Sequence, residues 1–158
     1  MSAVALDVNV LCYTNSEREP LAGSCMMASV RILATDIILL DTEGFILGEY
    51  EAKRDYMNSA IYNLLINVIY NSRRIYNHSS HLPRKIEKIL REHTKHTKDD
   101  FYFAVAARYA GTACFVTEEN RYHDVELKAD LLREGRIDVK RASECGHCSA
   151  GWQTKDTG

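Results

Sequence analysis

Proline and glycine are scarce, at two and eight residues in 158. Neither occurs between Glu49 and Leu82. Nothing there breaks a helical hydrogen-bond ladder, so the stretch predicts long helices. Long apolar runs are also missing. The longest uncharged stretch, Tyr56 to Ser72, is short and carries several asparagines, which argues against a transmembrane helix. No basic segment precedes the first apolar run, so a secretory signal is not expected. Cysteine is present but in odd number, five. Cys12, Cys25 and Cys114 lie within apolar stretches. That pattern argues against a disulfide framework and for a reducing, cytoplasmic setting. The net charge of −2 gives no global pull toward nucleic acid, so any such pull must be local. Internal repeats and low-complexity blocks are absent.

What is there reads as one α/β domain over residues 1–142, followed by a polar tail at 143–158. A chain of this length buries roughly 70% of its unfolded surface. Val4 to Leu6 predicts a strand that continues toward Val10. Glu19-Pro20 marks a break before a helix from Leu21 to Ala34. The β-branched run Ile37 to Leu40 predicts a buried strand. Asp41 or Thr42 can cap a helix starting near Glu43. Ile61, Leu64, Leu65, Val68 and Ile69 share one helical face, with Asn63, Asn67 and Asn71 as a polar stripe beside it. Pro83 suits the first turn of the next helix, whose face is Ile86, Ile89, Leu90 and His93. A helix from Thr97 to Gly111, a strand from Ala113 to Thr117, a helix from Val125 to Arg133 ended by Gly135, and a short strand from Ile137 to Val139 complete the chain. Alternation of this kind implies a mostly parallel sheet of four or five strands, covered by helices on both faces as an α/β/α sandwich.

The carboxyl edge of such a sheet is where ligands gather, and acids fall there. Asp7 ends the first strand. Thr117, Glu118 and Glu119 follow the strand at Ala113 to Val116. Glu49 lies early in the helix after the second strand, and Asp100, with Asp99 beside it, opens the helix before the third. Carboxylates brought this close repel and raise one another's pKa unless a cation holds them. Hard oxygen ligands select Mg²⁺ or Mn²⁺. Such a metal can activate water and stabilise the leaving oxygen of a phosphodiester.

The segment Val4-Ala-Leu-Asp7-Val8-Asn9-Val10-Leu11 resembles the opening D-x-N-V-L motif of the PIN domain family. Phe45-Ile-Leu-Gly-Glu49-Tyr50 resembles the family's second acidic motif. Asp100-Phe-Tyr-Phe-Ala104-Val-Ala106-Ala107 with Gly111 resembles the third, and Phe115-Val116-Thr117-Glu118-Glu119 the strand with its T-x-D. The likeness covers residues 3 to 140. It implies a three-layer fold and metal-dependent cleavage of single-stranded RNA, as a toxin or an RNA-processing enzyme. On that reading Asp7, Glu49, Asp100 and Glu119 hold Mg²⁺ or Mn²⁺, Asn9 and Thr117 support them, and the partners are RNA, an antitoxin or processing protein, and a second copy of the chain. Two positions depart from the pattern. The T-x-D aspartate is Glu119, one methylene longer. The family's further acid would fall at Arg121, which cannot bind a metal; Asp124 or Glu118 can substitute. A PIN-like module that binds RNA or protein without cutting is the rival reading. An aspartyl phosphatase would want a second aspartate where Asn9 stands.

Each acid also has a plainer use. Asp7 can bond nearby backbone amides, Glu49 can be a solvated helix residue, and Asp100 can complete a capping box with Thr97. The basic residues cluster between Arg73 and Lys98. Arg73, Arg74, Arg84, Lys85, Lys88 and Arg91 form a candidate phosphate-binding face; the alternative is an ordinary solvated helix surface. Tyr70, Tyr76 and Tyr102 are candidates for stacking on bases. Cys145-Gly-His147-Cys148 is half a zinc site, to be completed by His123 or a second chain, or else a pair of incidental thiols in a polar tail.

Overall fold

The computed structural model describes residues 1–94 and 98–145. Its strands are β1 (Ala3–Leu6), β2 (Ile37–Asp41), β3 (Ile75–His78), β4 (Ala113–Val116) and β5 (Ile137–Lys140). Its helices are α1 (Val8–Tyr13), α2 (Leu21–Thr35), α3 (Phe45–Ala52), α4 (Ser59–Asn71), α5 (Arg84–His93), α6 (Asp100–Arg108) and α7 (Val125–Gly135). All strand pairings are parallel, in the order β3-β2-β1-β4-β5. The chain therefore winds outward from β1 through β2 to β3, then crosses back to β4 and β5. The turning point of that winding lies between β1 and β4, and it opens a crevice beyond their carboxyl ends.

The central strand shows why the sheet is buried. β1 is Ala-Val-Ala-Leu, and every residue in it is at most 2% exposed. An apolar run without alternation is what a parallel strand covered on both faces requires. One group of helices, α1, α2 and α4, packs together. A second group, α3, α5, α6 and α7, is linked through α3–α6, α5–α6 and α5–α7 contacts, with α6 lying across β1, β2 and β4. The fold is the expected α/β sandwich. Among the described residues no helix is long and apolar enough to cross a membrane.

The structure corrects several expectations. The first strand stops at Leu6 and does not run toward Val10. Asp7 accepts a hydrogen bond from the Asn9 amide and turns the chain into α1. The residues between Glu49 and Leu82 are not continuous helix. Asn58 caps α4 by accepting from the Ala60 and Ile61 amides, and the segment ends in β3, an edge strand too polar for its pattern to stand out (Ile-Tyr-Asn-His). Asp41 does cap α3, but the helix begins at Phe45. Gly135 is the last residue of α7 rather than its left-handed terminator. The left-handed residue is Arg136, at φ 53°. Beyond β5, Ala142 and Cys145 are buried against the core. Thr97, His96, Lys95, His147 and Cys148 lie outside the described residues, and with them the capping box and the C-x-x-C motif.

Candidate active site

Asp7 sits where β1 meets α1, at the crevice between β1 and β4. It is 3% exposed. Its Oδ1 accepts from the Asn9 amide at 3.1 Å, and its Oδ2 accepts from the Thr117 hydroxyl at 2.7 Å. Thr117 follows β4, so this bond joins the two strands flanking the crevice. The same hydroxyl accepts from the Glu119 amide at 3.1 Å. Asn9 reaches the same loop, its Oδ1 accepting from the Glu118 amide at 3.4 Å. Asn9 and Thr117 thus act as supports that lock the loop after β4 to the start of α1.

Glu49 lies on α3, in the turn before the helix ends. Its Oε2 accepts from the Tyr102 hydroxyl at 2.9 Å, and the oxygen of that hydroxyl accepts from the Val8 amide at 3.1 Å. Two other buried tyrosines serve the same region. Tyr50 donates to the Leu6 carbonyl at 2.6 Å, and Tyr122 donates to Asp99 Oδ2 at 2.8 Å. Burial raises the pKa of all three phenols. Each therefore keeps its proton and remains a donor. Sequence reasoning alone misses this trio. Its only signal there is a polar tip in an otherwise apolar helix, as at Tyr102 between Phe101 and Phe103. Tyr102, expected to stack on bases, is fully buried and its hydroxyl is engaged with Glu49.

Of the two acids at the start of α6, it is Asp99 whose charge acts on both Asp7 and Glu49. Asp100 is half-buried in the first turn, and its Oδ1 is buried with no hydrogen-bond partner among the described residues. Glu119 is less enclosed and faces Arg121, with Nε to Oε1 at 3.9 Å. Arg121 also reaches Asp99, Nη2 to Oδ2 at 3.4 Å, and lies 4.9 Å from the centre of the Tyr122 ring. A guanidinium thus stands between two of the acids. The substitutes are occupied elsewhere. Glu118 accepts from the Ala142 amide at 3.2 Å. Asp124 caps α7 through the Leu127 amide at 3.0 Å and faces His93 at 3.8 Å.

The electrostatics follow from this crowding. Burial, then the charge of Asp99, pushes the Asp7 carboxyl up to about 7, against the lowering effect of its bonds from Thr117 and Asn9; Glu49 raises it further. Glu49 is also raised, mainly by burial and then by Asp99, while the Tyr102 bond and Lys53 oppose the rise. These acids are short of positive charge. The oxygens of Asp7 and Glu49 are hard carboxylate donors, the type that suits Mg²⁺ or Mn²⁺. Among the described residues, no group of three or more His, Cys, Asp or Glu side chains is placed so that it could hold a metal ion.

Of the six basic residues expected to form a phosphate-binding face, five are exposed: Arg73, Arg84, Lys85, Lys88 and Arg91. Arg84, Lys88 and Arg91 share an open cavity of about 450 Å³ with Glu87 and Glu92, and Arg91 pairs with Glu87 at 2.5 Å. Arg74 is different. Its guanidinium donates to the Asp36 and Leu33 carbonyls, both at 2.7 Å. It closes the end of α2 and is not available to phosphate. Tyr70 and Tyr76 are exposed. His123 Nε2 donates to the Thr117 carbonyl at 2.7 Å.

No family model matches the chain, and no curated protein and no solved structure is significantly similar to it.

Proposed function

We propose that this protein is a Mg²⁺- or Mn²⁺-dependent endoribonuclease of PIN type that cuts single-stranded RNA. The observation that carries the reading is the meeting of Asp7, Glu49 and Asp99 at the turning point of the sheet, each raising or raised by another's charge. Structural carboxylates are placed to be neutralised. Here a buried Asp7 and a half-buried Glu49 lie within reach of Asp99's charge, at the sheet edge where α/β folds bind ligands.

In this reading Asp7 and Glu49 hold the cation, with Asp99 or Asp100 completing the acidic wall and Glu119 at its outer edge. The bound cation would polarise the phosphodiester and lower the pKa of an attacking water. The residues supply position. Thr117 fixes one oxygen of Asp7 and leaves Oδ1, already bonded to the Asn9 amide, with a further lone pair. Tyr102 fixes one oxygen of Glu49 and leaves the other. The basic residues of α5 attract the RNA backbone. The test is hydrolysis of unstructured RNA in Mn²⁺ by wild type and by Asp7→Asn. Cleavage by wild type and its loss in the variant are expected. Equal cleavage by both, or none by wild type, sinks the reading.

One observation favours the rival, a module that binds RNA without cutting it. Arg121 already places positive charge between Asp99 and Glu119. Removing a unit charge at this range is worth about 1 kcal/mol or more in divalent affinity. On the nuclease reading, Arg121→Ala therefore tightens Mn²⁺ binding roughly tenfold by calorimetry. If neither wild type nor Arg121→Ala takes up Mn²⁺ while both bind RNA, the module is the correct description.

A further inference from the structure

A second concavity adjoins the acids. It is a cleft of about 290 Å³ lined by Val8, Asn9, Cys12, Tyr13, Lys53 and Tyr56. The floor comes from α1, where Val8 and Cys12 form one column and Asn9 and Tyr13 the next, each pair a helical turn apart. The wall comes from the end of α3 and the single 3₁₀ turn after it. Both elements run close to the acids. α1 is capped by Asp7, and Lys53 follows the last residue of α3, one turn beyond Glu49. The charge of Lys53 acts on both Glu49 and Cys12, so the cleft and the acids share one electrostatic environment.

We infer that this cleft receives one unstacked nucleobase of single-stranded RNA, the base next to the phosphate held at the acids. The occupant follows from the chemistry of the lining. Tyr56 is 64% exposed, a flat apolar surface with no core to bury it, and such rings stack on bases regardless of sequence. The Lys53 ammonium lies 5.4 Å from the centre of that ring. It stands over one face of the ring, leaving the other face for a base, and its charge complements a base that carries its own phosphate. Val8 and Cys12 offer apolar contact to the buried face of the base. The amide oxygen of Asn9 is engaged by the Glu118 amide, which leaves its NH₂ as a donor toward carbonyl or ring-nitrogen acceptors. An apolar protein side chain would use the floor but would have no need of Lys53.

The inference rests on the nuclease reading for the neighbouring phosphate, yet it can be tested without cleavage. The full chain is titrated in EDTA against a fluorescent oligouridylate, and anisotropy is recorded at several salt concentrations. Tyr56→Ala should weaken binding roughly tenfold, and Tyr56→Phe should not. Lys53→Ala should lower the salt slope by about 0.7, the value for one phosphate on a single strand. Both side chains are exposed, so circular dichroism should be unchanged. Alkylation of Cys12, followed by peptide mass mapping, gives the local readout: bound oligonucleotide should slow it and leave Cys114, on β4, unaffected. Wild-type affinity in Tyr56→Ala, or unaltered Cys12 alkylation, overturns the inference even if RNA is hydrolysed in Mn²⁺. A Tyr56-dependent affinity and Cys12 protection without any hydrolysis uphold the cleft and remove the nuclease.

Discussion

If Asp7 holds a cation as proposed, a proton and that cation compete for the same buried oxygens. The carboxyl is pushed from its ordinary 3.8 to about 7 in the folded chain. Between those values the folded protein keeps a proton that the unfolded chain has released. Stability therefore falls as pH rises through that window, by up to roughly 4 kcal/mol for this group alone, and levels off above it. Thermal melts in EDTA should show the decline, and Asp7→Asn, which cannot titrate, should lose this part of it. Metal follows the opposite course. Below about 7 each unit of acidity should cost about tenfold in Mn²⁺ affinity, because the ligand must first lose its proton. Calorimetry across pH checks this, and a pH-independent affinity would remove Asp7 from the ligand set. The sequence made Asp7 visible because a charge at the end of an apolar strand is conspicuous. It could not show which of Asp99 and Asp100 would face Asp7. Adjacent residues at a helix start point in different directions, and only the packing of Tyr122 beneath Asp99 decides between them.

Elements were legible where their pattern was internal and illegible where a neighbour set it. α4 and α5 declared themselves by period, since Ile61, Leu65 and Val68, and Ile86, Ile89 and Leu90, are buried as their spacing requires. The end of α7 did not. Glycine after a helix normally supplies a left-handed residue, yet here that conformation belongs to Arg136. Gly135 is small for another reason. A Cβ there would stand 2.5 Å from Ile86 Cδ1 and 3.3 Å from Ile137 Cδ1, so the glycine lets α5 close on α7 and β5. Two substitutions separate these roles. Gly135→Ala should destabilise by about 1–3 kcal/mol through overpacking. Arg136→Gly should be neutral or stabilise by up to about 1 kcal/mol, because it relieves the left-handed strain. Urea denaturation of both variants measures this. An unchanged stability in Gly135→Ala would show that Ile86 yields to the added methyl and that space does not fix the helix end.

Across the whole molecule, charge and topology divide the work. The winding of the sheet brings Asp7 and Thr117, distant in sequence, to one crevice, while the net charge of −2 conceals a local excess of basic residues on α5. The topology could be anticipated because strands alternate with helices. The membership of the basic face could not, because a sequence shows where an arginine is but not what its guanidinium touches. Arg74 makes the distinction measurable. Its two bonds to the Asp36 and Leu33 carbonyls satisfy acceptors that α2 leaves open at its end. Arg74→Ala should therefore lower stability by about 1–3 kcal/mol and leave the salt dependence of RNA binding unchanged. Replacing Lys85 and Lys88, both exposed, with glutamate should do the reverse. The fold should be as stable as wild type, and the slope of log affinity against log salt should shrink by about 0.7 for each phosphate that is no longer neutralised. If the slope survives that double replacement, α5 is a solvated surface and the RNA backbone is held elsewhere, with Lys53 and the cleft beside the acids as the remaining cationic approach.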